Sequence, residues 1–400
     1  MRVMQSALNR ATTGVLSVIQ RFLVLPNQIT FSGAGSTQQL CDHIHRLGHK
    51  KVLLITDKIL VDLGLANRVV EGMAGHGGEV VIYDGVLPDP TVAMVNDGLA
   101  LVKQHGCDAI VAMGGGSSID TAKGVASAAT NGGIEKLIGI LKVKQDALPL
   151  FAIPTTSGTG SEVSIAAVIS DPETHQKGVM ADPKIVPQAV ALDAELLTGM
   201  PPSVTASTGM DALSHAIETY IGRWSNNQVK SLSGTAIKLI FDYLPKACEN
   251  GSDMQARESL ALASYYAGLS LNDGGVGNVH AFAHQIGGQY KIPHGVAISA
   301  VMPQVLQLSL KQAGAKLAEL ADLIGVASAG DSEQVKAEEF IAALRNLQQE
   351  IGMPMTFSQI QTQDIRGLVK EALKEAVLYP VPYFMSYREG EQLIRQLQET

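Results

Sequence analysis

Between about residues 50 and 155 the chain alternates short apolar runs with stretches whose apolar residues recur every three or four positions. Lys51–Thr56, Glu79–Tyr83, Ala109–Met113 and Leu148–Ile153 read as buried strands. Leu65–Gly75 and Thr91–His105 carry helical spacing between the first three. Strand–helix–strand alternation predicts a parallel sheet with helices on its faces, whose ligands lie at the carboxyl ends of the strands.

After Met200-Pro201-Pro202 the pattern becomes helical throughout. Thr208–Trp224, Gln228–Ala247, Met254–Leu271, Val276–Tyr290, Gly295–Ser309, Gln312–Leu323, Val335–Ile351 and Asp364–Val377 are the expected helices. The fold class is therefore α/β over residues 27–200, a Rossmann-like domain, followed by an all-α domain over residues 201–400. Residues 1–26 form an N-terminal extension. It holds Arg2, Arg10 and Arg21 and no acidic residue, and Val15, Leu16, Ile19, Phe22 and Leu23 share one helical face. A cleaved organelle-targeting segment and a short helix docked on the body both have this composition.

Composition narrows the function. A chain of 400 residues with 46% hydrophobic and 17% charged residues suits a well-buried enzyme of two domains. The net charge of −8 argues against nucleic acid and leaves a small organic substrate as the expected partner. Cys41, Cys107 and Cys248 form no CxxC pair, which excludes a thiolate zinc site and points to a reducing cytoplasm. No apolar run reaches the length of a membrane span, so no membrane partner is expected.

Two loops carry candidate cofactor chemistry. Gly114-Gly115-Gly116-Ser117-Ser118-Ile119-Asp120 follows a strand and opens a helix. Glycines there allow a sharp turn and close backbone approach, and the helix N-terminus attracts an anion such as a pyrophosphate. A plain strand-to-helix turn has the same glycines. The fingerprint GxGxxG itself is absent, since Gly33-Ala34-Gly35 lacks its third glycine. Asp57 follows the Lys51–Thr56 strand, where a carboxylate can accept from a ribose diol and repel a 2′-phosphate, favouring NAD over NADP. Capping the next helix is the alternative use. The second loop, Pro154–Glu162, holds Thr155, Thr156 and Thr159, which either line a crevice or satisfy turn backbone.

Asp211 and His215 are four residues apart, as are His280 and His284, so each pair shares one helix face; His294 follows a proline. These are four of the ten histidines. Buried without a cation, such groups would each cost about 1–3 kcal/mol unless hydrogen-bonded. An Asp/His set without cysteine suits Fe(II), Zn(II), Mn(II) or Co(II) and keeps a position open for catalysis. A buried hydrogen-bond network is the alternative. His284 need not be a ligand, and an imidazole at that place suits a proton relay.

With these motifs in order, GGGSSID at Gly114–Asp120, TTSGTGSE at Thr155–Glu162, TGMDALSHAIE at Thr208–Glu218 and HAFAHQIGGQYKIPHG at His280–Gly295, the chain resembles the iron-containing (group III) alcohol dehydrogenase family from about residue 27 onward. The resemblance implies a dehydroquinate synthase-like architecture with an active-site cleft between the domains. It implies hydride transfer between NAD(H) and an alcohol or aldehyde, a divalent metal, Fe(II) or alternatively Zn(II), and a homo-oligomer of two or more chains. It makes Asp211, His215, His280 and His294 the metal ligands and His284 the histidine near the nicotinamide. It places Asp57, Asp89, Gly114, Gly115, Gly116, Ser117, Ser118, Asp120, Thr155, Thr156, Thr159, Val168 and Lys177 along the cofactor. Asp89 stands where many relatives carry Asn, and the family's Asn-Pro-Arg is replaced by Tyr379-Pro380-Val381-Pro382-Tyr383. Lyases of the dehydroquinate-synthase type, and maleylacetate- or glycerol-type dehydrogenases of the same fold, are the alternatives. The lyases need several basic side chains for a phosphate-bearing acid, and residues 208–295 hold only scattered ones.

Overall fold

The computed structural model of the protein describes residues 2–20, 25–170 and 177–398. It divides into two compact units, Leu23–Gly199 and a second that joins Met200–Thr400 to Met1–Phe22.

In the first unit the strands are β1 Ile29–Ser32, β2 Lys51–Ile55, β3 Glu79–Tyr83, β4 Ala109–Gly114, β5 Gly139–Ile140, β6 Leu150–Pro154, β7 Ala166–Ser170, β8 Lys177–Ala181 and β9 Ala189–Leu192. Six of them form a wholly parallel sheet in the order β1-β9-β6-β4-β2-β3. Its central strands are buried on both sides, which is why β4 and β6 are apolar without alternation, whereas edge strand β3 exposes Glu79 and Ile82. The chain leaves β2 toward β3 and returns on the other side as β4, so the order reverses between β2 and β4. Ligands of open parallel sheets sit at such a reversal. Strands β5, β8 and β7 make a separate small sheet in which β7 and β8 are antiparallel.

The helices of this unit are α2 Ser36–Arg46, α3 Lys58–Asp62, α4 Asn67–Ala74, α5 Val92–His105 and α6 Gly116–Asn131, following α1 Arg2–Gln20 in the chain. Local chemistry sets their ends. Thr91 accepts a hydrogen bond from the Met94 N–H at the start of α5, and Gly106 ends that helix in the left-handed conformation at φ 66°.

The second unit holds α7 Pro202–Ile221, α8 Asn227–Glu249, α9 Met254–Gly274, α10 Asn278–Tyr290, α11 His294–Ile324, α12 Glu333–Glu350, α13 Ile365–Glu375 and α14 Tyr387–Gln396. Pro202 at the first turn preorganises α7, while Asn226, Asp253 and Ser332 cap α8, α9 and α12. One apolar core, including Met210, Ile217, Ile240, Phe282, Ile298 and Phe340, joins these helices. Two helices expected over Gly295–Ser309 and Gln312–Leu323 are one, because no glycine or proline interrupts residues 309–313. Pro303 lies inside that helix without ending it.

The N-terminal extension is a helix that contacts the second unit through polar side chains. In helix α1, Val15 is 63% exposed, and among the described residues the buried positions are the polar Asn9 and Thr13. The reason is what they meet: Asn9 Nδ2 donates to the main-chain carbonyls of Ala376, Val377 and Tyr379, which an apolar face could not satisfy. Phe22, Leu23 and the side chain of Ile19 lie outside the described residues.

Candidate metal centre and dinucleotide loops

Helix α7 presents Asp211, His215 and Glu218 along one face, at spacings of four and three residues. Imidazole His280 comes from the first turn of α10 and His294 is the first residue of α11. The connection between those helices is short, with Lys291 in the left-handed conformation and Pro293 at the cap of α11. A Cβ at Gly295 would stand 2.1 Å from the Ser207 carbonyl oxygen, so only glycine lets α11 begin this close to α7.

The four ligating side chains named from sequence converge. Nε2 atoms of His215, His280 and His294 lie 3.7, 3.8 and 3.4 Å from Asp211 Oδ1. Asp211, His215 and His280 are buried, their ligand atoms all within 4.8 Å of one another. The His215 and His280 rings are stacked with centroids 4.7 Å apart. Among the described residues, Asp211 Oδ1 and His280 Nε2 are buried without a hydrogen-bond partner. Two orphaned polar atoms a few ångströms apart, one carboxylate and one imidazole, are what a cation would satisfy. Charge agrees with this. Burial opposes the Asp211 charge, but the neighbouring His215 and His294 outweigh it and hold the carboxyl below its usual range. Burial, then the adjacent imidazoles, push His280 well down, so it is neutral and able to ligate. His294 differs in being 43% exposed at its side chain, which opens the centre on that side.

Sequence reasoning missed Glu218. Its Oε2 lies 2.7 Å from His280 Nδ1, and its carboxylate also accepts from the N–H groups of Gly277 and Val279. It thereby caps α10 from a different helix and fixes the His280 ring with Nε2 turned to the cluster. Burial raises its carboxyl to about 7, against the lowering effect of these hydrogen bonds. A signal was available: Glu218 stands on the same face of α7 as Asp211 and His215.

His284, one turn after His280, is partly exposed and stacks on His294 with centroids 5.2 Å apart. Its Nδ1 is 2.6 Å from Glu375 Oε1, which also accepts from the Tyr379 hydroxyl, while Glu375 Oε2 accepts from Gln285. Glu375 and Tyr379 had no signal in sequence, lying about ninety residues further on.

In the α/β unit, the carboxyl ends of β2, β4 and β6, three adjacent strands, carry Asp57, Gly114–Ser118 and Thr155–Thr159. Asp57 Oδ1 caps α3 by accepting from the Leu60 N–H. Gly114 has φ 148°, and a Cβ there would meet Ser118 Oγ at 2.4 Å; one at Gly116 would meet Thr159 Cγ2 at 2.8 Å. Gly115 lies 3.3 Å from Thr156 by the same measure, and the Thr155 N–H donates to the Gly114 carbonyl, so the two loops are one assembly. The N-terminus of α6 follows directly, with Ser117 half-buried and Ser118 buried. Asp120 binds inward, accepting from Ser161 Oγ and from the Val168 N–H at 2.9 Å, and so ties α6 to β7. Asp89 adopts the left-handed conformation at φ 59° on an exposed turn. Lys177 begins β8, but its side chain lies outside the described residues.

The family model for iron-containing alcohol dehydrogenase matches residues 26–194, and that for the C-terminal part of the same family matches residues 205–397. The NAD-dependent methanol dehydrogenase of Bacillus methanolicus is 38% identical over 366 residues, spanning 91% of this chain and 96% of its own length. The lactaldehyde reductase of Escherichia coli K12 is 36% identical over 87% of this chain and 92% of its own. The crystal structure of a 1,3-propanediol oxidoreductase superposes with a TM-score of 0.91 at 37% identity, covering 94% of this chain and 98% of that one. The chain belongs to the iron-containing alcohol dehydrogenase family. Its class of activity is that of a metal-dependent, NAD-linked alcohol dehydrogenase or aldehyde reductase, not that of the lyases sharing the fold.

Proposed function

We propose that this enzyme interconverts short-chain primary alcohols and aldehydes, with Asp211, His215, His280 and His294 holding Fe(II) and His284 moving the proton. The observation that carries the reading is the pair of orphaned buried atoms, Asp211 Oδ1 and His280 Nε2, among three imidazoles. A cation bound there supplies Lewis acidity, lowering the pKa of an alcohol hydroxyl or polarising a carbonyl. The small substrates in the names of the relatives, methanol, lactaldehyde and 1,3-propanediol, support a short chain.

The protein's own groups do the rest. Asp211 contributes the fixed negative charge, and Glu218 holds the His280 ring so that Nε2 is the ligating atom. His284 donates Nδ1–H to Glu375, which leaves Nε2 to take the hydroxyl proton, while a bound nicotinamide would supply the hydride acceptor. The Glu375 carboxylate stabilises the imidazolium that results. In the α/β unit, the N–H groups opening α6, with Gly114, Gly115, Gly116, Ser117 and Ser118, cradle the pyrophosphate, and Asp57 takes the adenosine ribose. Asp89, Thr155, Thr156, Thr159, Val168 and Lys177 line the remaining length of the dinucleotide. The domain that holds it spans residues 27–200, and the metal domain residues 201–400. Three free thiols support a reducing cytoplasm, where the chain works as a homo-oligomer.

The test couples metal analysis to NADH formation on a panel of straight-chain alcohols. Wild-type protein should carry about one iron per chain and reduce NAD, whereas His280→Ala should lose metal and turnover together. A metal-free His280→Ala enzyme of full activity would overturn the reading.

A further inference from the structure

Helix α1 lies outside both family matches, the first of which begins at residue 26. It nonetheless makes specific polar contacts with the helical unit. Both Asn9 and Thr13 are 2% exposed, in a helix where Met4, Leu8 and Val15 are more than half exposed. Such burial of an amide and a hydroxyl on a short surface helix is stable only if each polar atom is matched.

The Thr13 hydroxyl donates to the Asn9 carbonyl within α1, and the other matches lead out of the helix. The Asn9 carboxamide Nδ2 donates to the carbonyls of Ala376, Val377 and Tyr379 at 3.1, 3.0 and 2.9 Å. These belong to the turn that follows α13, and the residues bracketing it are Glu375 and Tyr379. Glu375 Oε1 receives both the Tyr379 hydroxyl and His284 Nδ1, each at 2.6 Å. On its other side, Asn9 Oδ1 accepts from Arg223 at 2.6 Å, and Thr13 Oγ1 accepts from the same guanidinium at 2.7 Å. Arg223 stands just after the end of α7, and its own N–H donates to the Pro380 carbonyl. One side chain of α1 thus joins the end of the Asp211-bearing helix to the turn that holds the His284 partner. A charge-assisted bond on one face and three carbonyls on the other leave the carboxamide a single orientation.

We infer that α1 is a clasp, with Asn9 as the positioning residue that sets the Glu375–Tyr379 turn and, through Glu375, the orientation of His284. This rests on the proton-relay reading of His284. Displacing a turn of backbone by a fraction of an ångström tilts the imidazole, and transfer rates are steep in such geometry. Metal retention is a separate matter, since none of the groups Asn9 touches is a ligand.

The experiment is a double-mutant cycle on the iron-loaded, full-length enzyme with Asn9→Ala and His284→Ala, reading kcat, KM and iron content. Asn9→Ala should lower kcat about tenfold, with KM for the alcohol within about twofold and iron unchanged. On the His284→Ala background it should have no further effect, because the residue it acts through is gone. Removal of residues 2–20 should reproduce the Asn9→Ala kcat and the same cancellation. An unaltered kcat in Asn9→Ala, an equal loss on both backgrounds, or a loss accompanied by iron release each overturns the clasp while leaving the relay in place. A His284→Ala enzyme with wild-type kcat overturns the relay, and the clasp with it.

Discussion

Glu218 Oε2 and His280 Nδ1 stand 2.7 Å apart in the buried interior of the helical unit, and this bond turns Nε2 of the ring toward Asp211. The same carboxylate closes the first turn of α10 through Gly277 and Val279. Glu218→Gln keeps the shape but replaces one acceptor oxygen by a donor among three donors. Iron affinity should fall about 10- to 100-fold, the range for losing the partner of a ligating histidine, with the fold retained. Competition against a chelator of known affinity measures it; unchanged retention would show that α10 alone orients His280.

Backbone geometry makes a second prediction at the glycine loop. Gly116→Ala puts a methyl 2.8 Å from Thr159 Cγ2, so either the Thr159 side chain or the loop proposed to carry the pyrophosphate must shift. NAD affinity should fall about tenfold or more, with about 1–3 kcal/mol lost from the α/β unit by overpacking. Calorimetric titration with NAD gives the first and chemical denaturation the second. Equal NAD affinity in the two proteins would place the pyrophosphate elsewhere.

The buried Glu162 makes stability depend on pH. Burial raises its carboxyl from 4.5 to about 7, with its own N–H and Lys123 opposing. Its folded-state value lies above the unfolded one, so the folded chain binds the proton more tightly and gains stability from it at low pH. That contribution is lost as pH rises from about 4.5 through 7. Glu162→Gln mimics the protonated side chain and should lose less stability than the wild type between pH 5 and pH 7.5. Parallel denaturation curves at the two pH values in both proteins would contradict this.

Asp57 makes a fourth. Its Oδ1 caps α3, yet it stands at the end of β2 beside the reversal of strand order. Asp57→Gly should raise kcat/KM with NADP relative to NAD about tenfold or more, since a carboxylate repels a 2′-phosphate. An unchanged ratio would mean that Asp57 is a helix cap alone.

What the sequence revealed follows from how local each signal is. β2, β4 and β6 are legible because strands buried on both faces are continuously apolar. The four residues of β9, Ala-Val-Ala-Leu, and of β1 are too short to stand out, and they become strands only by pairing with each other and with β6. Asp211 and His215 are visible as one turn of a single helix, but the fit of His294 depends on Gly295 meeting the Ser207 backbone, which spacing does not encode. Glu375 and Tyr379 depend on α13 lying against α10, and the docking of α1 depends on main-chain carbonyls, which carry no residue identity at all.

The centre draws its side chains from α7, α10 and α11, so an ion seated among them also acts as a cross-link between segments far apart in the chain. In its absence, Asp211 Oδ1 and His280 Nε2 stay buried without a hydrogen-bond partner among the described residues, in a bundle that must still assemble. An ion held by all of these side chains requires that the three helices have met. It also tightens them, with a gain in resistance to unfolding that grows as RT ln(1 + [M]/Kd) with free-ion concentration. Starvation for iron would on this account shorten the lifetime of the enzyme in a cell as well as silence it.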